Sequence, residues 1–237
     1  MSAPQAIAII PARAGSKRIP SKNIRPFDGV PMIGRSIDTA KRSGLFDRIL
    51  VSTDSEEISA IALRFGAECA FKRPPDLADD RTPTAPVVHH ALSWLAERGA
   101  NLRHVCCIYA TAPLMQIEDL RTGYQALVSH DCGSVLPVTD FGFPILRALR
   151  LTASGKAAMI WPEHQFSRSQ DLPEAYHDAG QFYWLNVSRF MQEPQLYFSD
   201  SQAVIIPRWR VQDIDTPDDW IRAEMIYRAL YGAGRVD

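Results

Sequence analysis

Apolar runs and helical patterns alternate through the first half of the chain. Residues 6–10, 48–52 and 105–109 are short apolar runs typical of buried strands. Residues 32–42 and 58–65 place apolar side chains at helical spacing, and two more helical patterns follow, over 87–95 and 120–128. Strands that alternate with helices form βα units. The pattern therefore predicts an α/β fold with a largely parallel sheet.

This alternation stops after residue 132. A strand is predicted at 134–138, and the polar segment 140–178 then contains proline, aromatic residues and two short predicted strands, at 147–151 and 157–161. We interpret 140–178 as an insertion within a single domain that covers residues 1–237. The α/β pattern then resumes with the remaining predicted elements, which are strands at 181–185 and 203–206 and a helix at 217–231.

Composition narrows the functional class. The 237 residues suit one domain, and a hydrophobic content of 46% excludes intrinsic disorder. A net charge of −1 argues against a nucleic-acid partner or an anionic membrane surface. No apolar run approaches the roughly 18 residues that span a bilayer. The four cysteines show no C-x-x-C spacing, so we expect free, mostly buried thiols and a cytoplasmic protein.

A basic loop follows the first predicted strand. It carries one glycine, Gly15, and four cations within ten positions, which are Arg13, Lys17, Arg18 and Lys22. The loop lacks both the G-x-x-x-x-G-K-[ST] and the G-x-G-x-x-G spacing. Their absence argues against a P-loop ATPase and against a nicotinamide-dependent oxidoreductase. A solvated loop is the alternative interpretation. Its place at the end of the first strand favours a nucleotide triphosphate site.

Two acids near the chain's end form a candidate metal site. Asp213 and Asp215 are two residues apart, so in an extended segment they point to the same side, whereas Ile214 points to the core. Magnesium favours one or two carboxylates together with phosphate oxygens and water. Acids that merely flank the final helix are the alternative, which explains Asp218 and Asp219 but not Asp213.

The basic loop also carries a family resemblance. Ala12-Arg13-Ala14-Gly15-Ser16-Lys17-Arg18, followed by Lys22-Asn23, resembles the signature of sugar nucleotidyltransferases that make CMP-activated nonulosonic acids, the relatives of CMP-sialic acid synthetase. The resemblance implies a Rossmann-like nucleotidyltransferase core, in which helices flank a mixed, mostly parallel sheet, with a small β-rich insertion. It implies that CTP and a nonulosonic acid give the CMP-sugar and pyrophosphate. It also implies a homodimer, with segment 140–178 serving the acceptor sugar and a dimer contact.

The same resemblance implies roles for the nucleotide and metal residues. Asp213 and Asp215 match a D-I-D motif that binds the catalytic metal, here Mg²⁺. The nucleotide-binding set comprises Arg13, Gly15, Ser16, Lys17, Asn23 and Arg73, with Arg13, Lys17 and Lys22 offsetting the triphosphate charge. Arg73 begins a stretch that resembles R-P-x-x-L-A-x-D, which lies along the cytosine. Ser52-Thr53-Asp54 either touches the nucleotide or caps the next helix through Asp54.

The prediction of the sugar site depends on shorter sequence matches. Residues 109–113 resemble the P-T-[AS]-P loop of the family, with Ala110 in place of its first proline. An α-keto acid sugar has a carboxylate that arginine can bind at two points, and Arg168 is the candidate, with Gln181 as a neutral helper. Tyr109 and Tyr183 complete the predicted sugar residues. The strings 106–109 and 178–184 resemble the branch that activates pseudaminic acid.

Other functions stay open at this point. The acceptor could be neuraminic or legionaminic acid, or 3-deoxy-manno-octulosonic acid. The last is disfavoured because enzymes of that kind tend to have A-S-T-R where this chain has Ala14-Gly-Ser-Lys17. A nucleotide-binding protein without catalysis is the alternative from another class. The joint presence of Lys17, Asp213 and Asp215 argues against it.

Overall fold

The computed structural model describes residues 6–232, and its centre is a seven-stranded sheet. The strands in chain order are β1 (Ala6–Pro11), β2 (Pro26–Phe27), β3 (Val30–Pro31), β4 (Arg48–Ser52), β5 (His104–Ile108), β6 (Ser134–Asp140), β7 (Leu149–Leu151), β8 (Ala157–Met159), β9 (Tyr176–Asp178), β10 (Phe182–Asn186) and β11 (Gln202–Ile205). The α-helices are α1 (Met32–Ser43), α2 (Glu56–Arg64), α3 (Thr84–Ala96), α4 (Ile117–His130), α5 (Val187–Gln192) and α6 (Pro217–Tyr231).

The central sheet is mixed but mostly parallel, which confirms the predicted fold class. Its order is β11-β6-β10-β5-β1-β4, and β9 pairs with β6 beside this path. Strand β10 runs antiparallel to both of its neighbours, and β1 is parallel to β4 and β5. Strands β4, β1, β5, β6 and β11 therefore all point in one direction.

Both faces of the sheet are buried at β1, β4 and β5, which explains why these strands are continuous apolar runs. In β1, Ala8 and Ile10 belong to one hydrophobic cluster, while Ile7 and Ile9 belong to another on the opposite face. Successive side chains of a strand alternate between faces, so each face receives half of the run. Helix α1 covers the first face and ends at Gly44, whose φ of 68° is left-handed and suits glycine.

The second half differs from the prediction in detail. The strand expected over 147–151 begins only at Leu149, because Ile145–Arg147 forms a 3-10 turn, and β7 pairs with β8 in a separate hairpin. The end of segment 140–178 does not leave the sheet, since β9 pairs with β6. The strand expected over 181–185 begins at Phe182, and Gln181 lies in the bend between β9 and β10.

The cysteine prediction is confirmed. Cys106, Cys107 and Cys132 are buried, Cys69 is partly buried, and all four are free thiols. Burial raises the pKa of the Cys107 thiol, so this side chain is a packing residue and not a nucleophile. Among the described helices, none combines the length and the apolar character that crossing a membrane requires.

Candidate active site

A cleft opens at the carboxyl ends of β1 and β5. The chain leaves β1 through α1 to reach β4 on one side, whereas β5 lies on the other side of β1. Such a point of divergence is where open α/β sheets bind their ligands. Eight predicted site residues line this cleft together, namely Arg13, Ser16, Lys17, Lys22, Asn23, Arg73, Tyr109 and Asp215.

The basic loop after β1 is tethered by side chains and not by regular structure. Asn23 is buried, and its Nδ2 donates to the Arg13 carbonyl at 2.9 Å. The Ala14 amide donates to Asp54 Oδ1 at 3.0 Å, and Arg13 donates to the Gly15 carbonyl at 2.7 Å. These bonds hold the loop over the end of the sheet and leave Ser16 and Lys17 facing the cleft.

The capping interpretation of Asp54 is wrong. Ser55 is the N-cap of α2, and its side chain accepts a hydrogen bond from the Ile58 amide. Asp54 instead reaches back to the basic loop through the Ala14 amide. A serine and an aspartate in sequence can both cap a helix, and only the direction of each side chain decides between them.

Each cation of the basic loop faces a carboxylate. Arg13 and Lys17 both pair with Asp80, from the segment between α2 and α3. Arg18 contacts Asp215 Oδ2 at 2.8 Å, and Lys22 lies 3.4 Å from Asp215 Oδ1. Hydrogen bonds from Lys17 and Arg13 lower the pKa of Asp80. The basic loop therefore combines concentrated positive charge with two neighbouring carboxylates, Asp80 and Asp215.

The acidic segment has the alternation that its sequence predicts. Ile214 is buried in a cluster with Phe27 and Trp220. Asp213 on one side of it in the chain is exposed, and Asp215 on the other is partly exposed. Lys22 Nζ donates to the Ile214 carbonyl at 2.6 Å, which fastens this segment to the basic loop. Directly after it, Thr216 caps α6 in a capping box with Asp219.

The two carboxylates of this segment suit a divalent cation. Partial desolvation, and then the negative charge of Asp215, raise the pKa of Asp213. A bound cation would offset the negative charge that raises the pKa of Asp213, and Mg²⁺ prefers oxygen ligands such as carboxylates. The described residues contain no cluster of three or more His, Cys, Asp or Glu side chains that could hold a metal. Phosphate oxygens and water would thus supply the remaining ligands.

Arg73 is a buried cation at the wall of the cleft. Only 4% of the residue is exposed, and burial lowers the pKa of its guanidinium to about 10. Its NH2 donates to the Ser52 carbonyl and its Nε donates to Ser52 Oγ at 3.2 Å. The guanidinium is therefore fixed at the end of β4 with one side lining the cleft.

Three of the four predicted sugar residues are neighbours, but of these Tyr109 alone lines the cleft. Tyr109 lines the cleft, where its hydroxyl and Thr84 Oγ1 are 2.9 Å apart. Tyr183 is buried behind it and donates to Asp178 at 2.6 Å. Gln181 is also buried and does not line the cleft, although its carbonyl accepts a hydrogen bond from the Tyr109 amide.

Arg168 lies outside the cleft, on segment 140–178. Its side chain is 72% exposed and forms a two-point ion pair with Asp171. Gly15 and Asp213 also do not line the cleft, whereas Ser16 and Asp215 do. A sugar role for Arg168 stays a prediction.

Three residues at the site have partners that the sequence did not predict. Asp80 pairs with two loop cations, Asp54 tethers the loop, and Arg18 pairs with Asp215. Asp54 and Asp80 lie in polar loops after β4 and α2, where aspartates are common and predict no particular contact. The four clustered cations could have indicated that carboxylates from neighbouring loops lie beside them.

Comparisons with known proteins agree with this geometry. A family model described as cytidylyltransferase matches residues 7–205. The chain is 40% identical to a pseudaminic acid cytidylyltransferase of Campylobacter jejuni subsp. jejuni serotype O:2, across 94% of this chain and 96% of that protein. It is 30% identical to a CMP-N,N'-diacetyllegionaminic acid synthase of Legionella pneumophila, across 93% of this chain and 95% of the relative.

The fold also has solved counterparts. A structure of CMP:2-keto-3-deoxy-manno-octonic acid synthetase complexed with CTP superimposes with a TM-score of 0.67 and covers 93% of this chain and 98% of that one. The sequence identity is 16%, so this likeness concerns the fold alone.

Proposed function

The chain belongs to the cytidylyltransferase family, and we propose that it transfers the cytidylyl group of CTP to pseudaminic acid. It is a nucleotidyltransferase. One observation carries this function, namely that the basic loop and Asp215 converge on one cleft at the ends of β1 and β5. The 40% identity to a pseudaminic acid cytidylyltransferase supports this sugar, whereas the legionaminic acid relative is 30% identical.

The proposed reaction is an in-line displacement at phosphorus. The anomeric hydroxyl oxygen of the sugar forms a bond to the α-phosphorus of CTP, and the bond from that phosphorus to the bridging oxygen of the β-phosphate breaks. Pyrophosphate leaves, and the hydroxyl proton passes to solvent. Such transfers depend on positioning and charge neutralisation more than on covalent chemistry of the protein.

The loop residues provide that positioning in our proposal. Arg13, Lys17 and Lys22 line the cleft and offset triphosphate charge, while Ser16 and the loop amides hold phosphate oxygens. When bound, Mg²⁺ would be held by Asp213 and Asp215 and would neutralise charge on the phosphate oxygens. Arg73 is fixed at the end of β4, which supports a contact with the nucleotide base.

The acceptor side of the proposal rests on fewer contacts. Tyr109 lines the cleft beside Thr84, which supports a contact with the sugar. We retain Arg168 as the partner of the sugar carboxylate. Arg168→Ala is then expected to raise the KM for the sugar more than the KM for CTP. A larger effect on CTP would move the carboxylate site elsewhere.

We further propose a cytoplasmic homodimer. Four free cysteines are typical of a reducing compartment. The insertion exposes several large apolar side chains that a second copy would cover, which are Phe143, Leu149, Leu151, Ile160 and Phe166. Exposed apolar surface on this scale is typical of an interaction site.

Pyrophosphate release tests the proposed function. The purified protein is incubated with CTP, Mg²⁺ and one of four acids at a time: pseudaminic, legionaminic, neuraminic or 3-deoxy-manno-octulosonic. We expect release with pseudaminic acid and little with the others. Asp215→Ala should lose most of the turnover while the far-UV circular dichroism stays unchanged. Release with another acid alone would reassign the sugar, and tight CTP binding without any release would indicate a nucleotide-binding protein.

A further inference from the structure

A buried ion pair joins Arg210, just before residues 213–215, to Asp119 of helix α4. Arg210 donates to Asp119 at two points, with NH1 to Oδ2 at 2.7 Å and NH2 to Oδ1 at 3.0 Å. The two side chains are only 8% and 12% exposed. Arg210 stands three residues before Asp213, and Asp119 is in the first turn of α4.

The main chain of Arg210 is held as well. Gln181 Nε2 donates to the Arg210 carbonyl at 3.3 Å, and the Gln181 carbonyl accepts from the Tyr109 amide at 2.9 Å. Tyr109 begins the loop that leads from β5 to α4 and lines the cleft. The side chain of Arg210 is therefore held by α4, and its carbonyl is held by Gln181.

Stability alone does not account for such a pair. Removing two charges from water costs about as much as their attraction returns, and apolar replacements of similar volume are often neutral or stabilising. A two-point guanidinium–carboxylate contact does fix direction and distance. The pair thus sets where the chain enters residues 211–215.

We propose that the Asp119–Arg210 pair is a positioning device for the carboxylates of Asp213 and Asp215. This inference rests on the proposed metal role of those two residues. Lys22 holds the same segment from the other side through the Ile214 carbonyl, so the segment is fastened at two places. Without the arginine anchor, the contacts of Lys22 and Arg18 with residues 214 and 215 would have to set the spacing between the carboxylates and the basic loop.

Direct binding of Mn²⁺ tests this inference, measured by electron paramagnetic resonance in the presence of CTP and without sugar. Asp119→Asn should weaken Mn²⁺ binding by roughly 10-fold or more, in line with other residues that orient metal ligands. Arg210→Lys keeps the charge but loses the two-point contact, and should weaken binding in the same direction. The concentration of Mg²⁺ for half-maximal pyrophosphate release should rise in parallel, with kcat at saturating Mg²⁺ changed much less.

A control comes from another two-point arginine–aspartate pair, between Arg189 and Asp200, which is more exposed. Asp200→Asn removes a two-point contact that does not touch residues 210–215, and should leave Mn²⁺ binding within about twofold of the wild type. Should Asp119→Asn fail to fold, Arg210→Lys decides the question, since it retains a buried charge pair.

The outcomes separate this inference from the proposed function. Wild-type Mn²⁺ affinity in both folded variants, together with a loss of affinity in Asp215→Ala, would overturn the positioning role alone. Wild-type affinity in Asp215→Ala would instead overturn the metal role, and the positioning inference with it. Weakened binding in Asp119→Asn and Arg210→Lys, with Asp200→Asn unaffected, supports it.

Discussion

Ion pairing at the level of single residues sets the charge of the cleft. Asp80 pairs with Arg13 and Lys17 of the basic loop, and Asp215 pairs with Arg18 and Lys22. Ion pairs that are partly exposed to water contribute about 0–1 kcal/mol each. A triphosphate with several negative charges can therefore take over these cations at small cost.

Asp80→Asn is the test of that competition. The substitution removes the carboxylate that Arg13 and Lys17 contact, so both cations become free for phosphate. We expect the KM for CTP to fall by roughly two- to fivefold. Steady-state kinetics at saturating sugar measure it, with Asp38→Asn on α1 as the control for loss of an exposed ion pair. A higher KM would mean that Asp80 orients the cations for substrate.

Asp213 has a pH-dependent effect on stability. Its pKa is raised in the folded protein, so folding disfavours its charged form. This cost is present at pH values above the raised pKa and vanishes below the ordinary pKa of aspartate. Asp213→Asn should consequently raise the free energy of unfolding at pH 7, and the gain should shrink as the pH falls through the raised pKa.

Urea denaturation in chelator-containing buffer at several pH values measures this effect. Glu163→Gln, which alters an exposed acid on the insertion, is the control and should show no such trend. Added Mg²⁺ should stabilise the wild type more than Asp213→Asn. A variant that is less stable than the wild type at pH 7 would contradict the unfavourable environment of this carboxylate.

At the scale of elements, one glycine sets how closely α4 approaches the sheet. A Cβ added to Gly123 would lie 2.8 Å from Trp184 Cδ1 and 3.1 Å from Phe182 Cε2, and both aromatic rings are fully buried in β10. Neither ring can move without disturbing the core, since interiors are close-packed. Helix α4 also carries Asp119, so the position of this helix on the sheet determines where Arg210 is held.

Gly123→Ala should destabilise the protein despite the better helix propensity of alanine. We expect a loss of about 1–3 kcal/mol from overpacking, measured by urea denaturation. Thr122→Ala, at the neighbouring exposed position of α4, is the control and should change the stability by less than about 0.5 kcal/mol. Equal stability of Gly123→Ala and wild type would mean that α4 can shift away from β10.

For the whole molecule, the main exposed apolar surface lies on the insertion. Phe143 is 87% exposed and Phe166 is 91% exposed, which is costly for an isolated copy of the chain. The double variant Phe143→Ser/Phe166→Ser should shift the protein from dimer to monomer in sedimentation velocity experiments. Leu63→Ser/Val128→Ser changes two exposed helical positions and should leave the mass unchanged. A wild-type monomer at micromolar concentration would contradict the proposed dimer.

Local pattern determined much of this molecule. The apolar runs predicted β1 and β4 to within a residue, and Thr216, Pro217 and the acids after them predicted the start of α6. These features depend on neighbours in the chain, such as side-chain alternation in a strand and capping of free amides. The basic loop was predictable for the same reason, because its cations are contiguous.

Tertiary structure alone decided what depends on distant residues. The apolar pattern of β10 does not show that this strand runs antiparallel to its neighbours β5 and β6. The direction of pairing depends on the path that the chain takes between strands. Asp54, Asp80 and Asp119 acquire their partners 40, 67 and 91 positions away in the chain. The sequence by itself determined the elements and the charge of the loop, whereas the packing of those elements decided which carboxylate faces which cation.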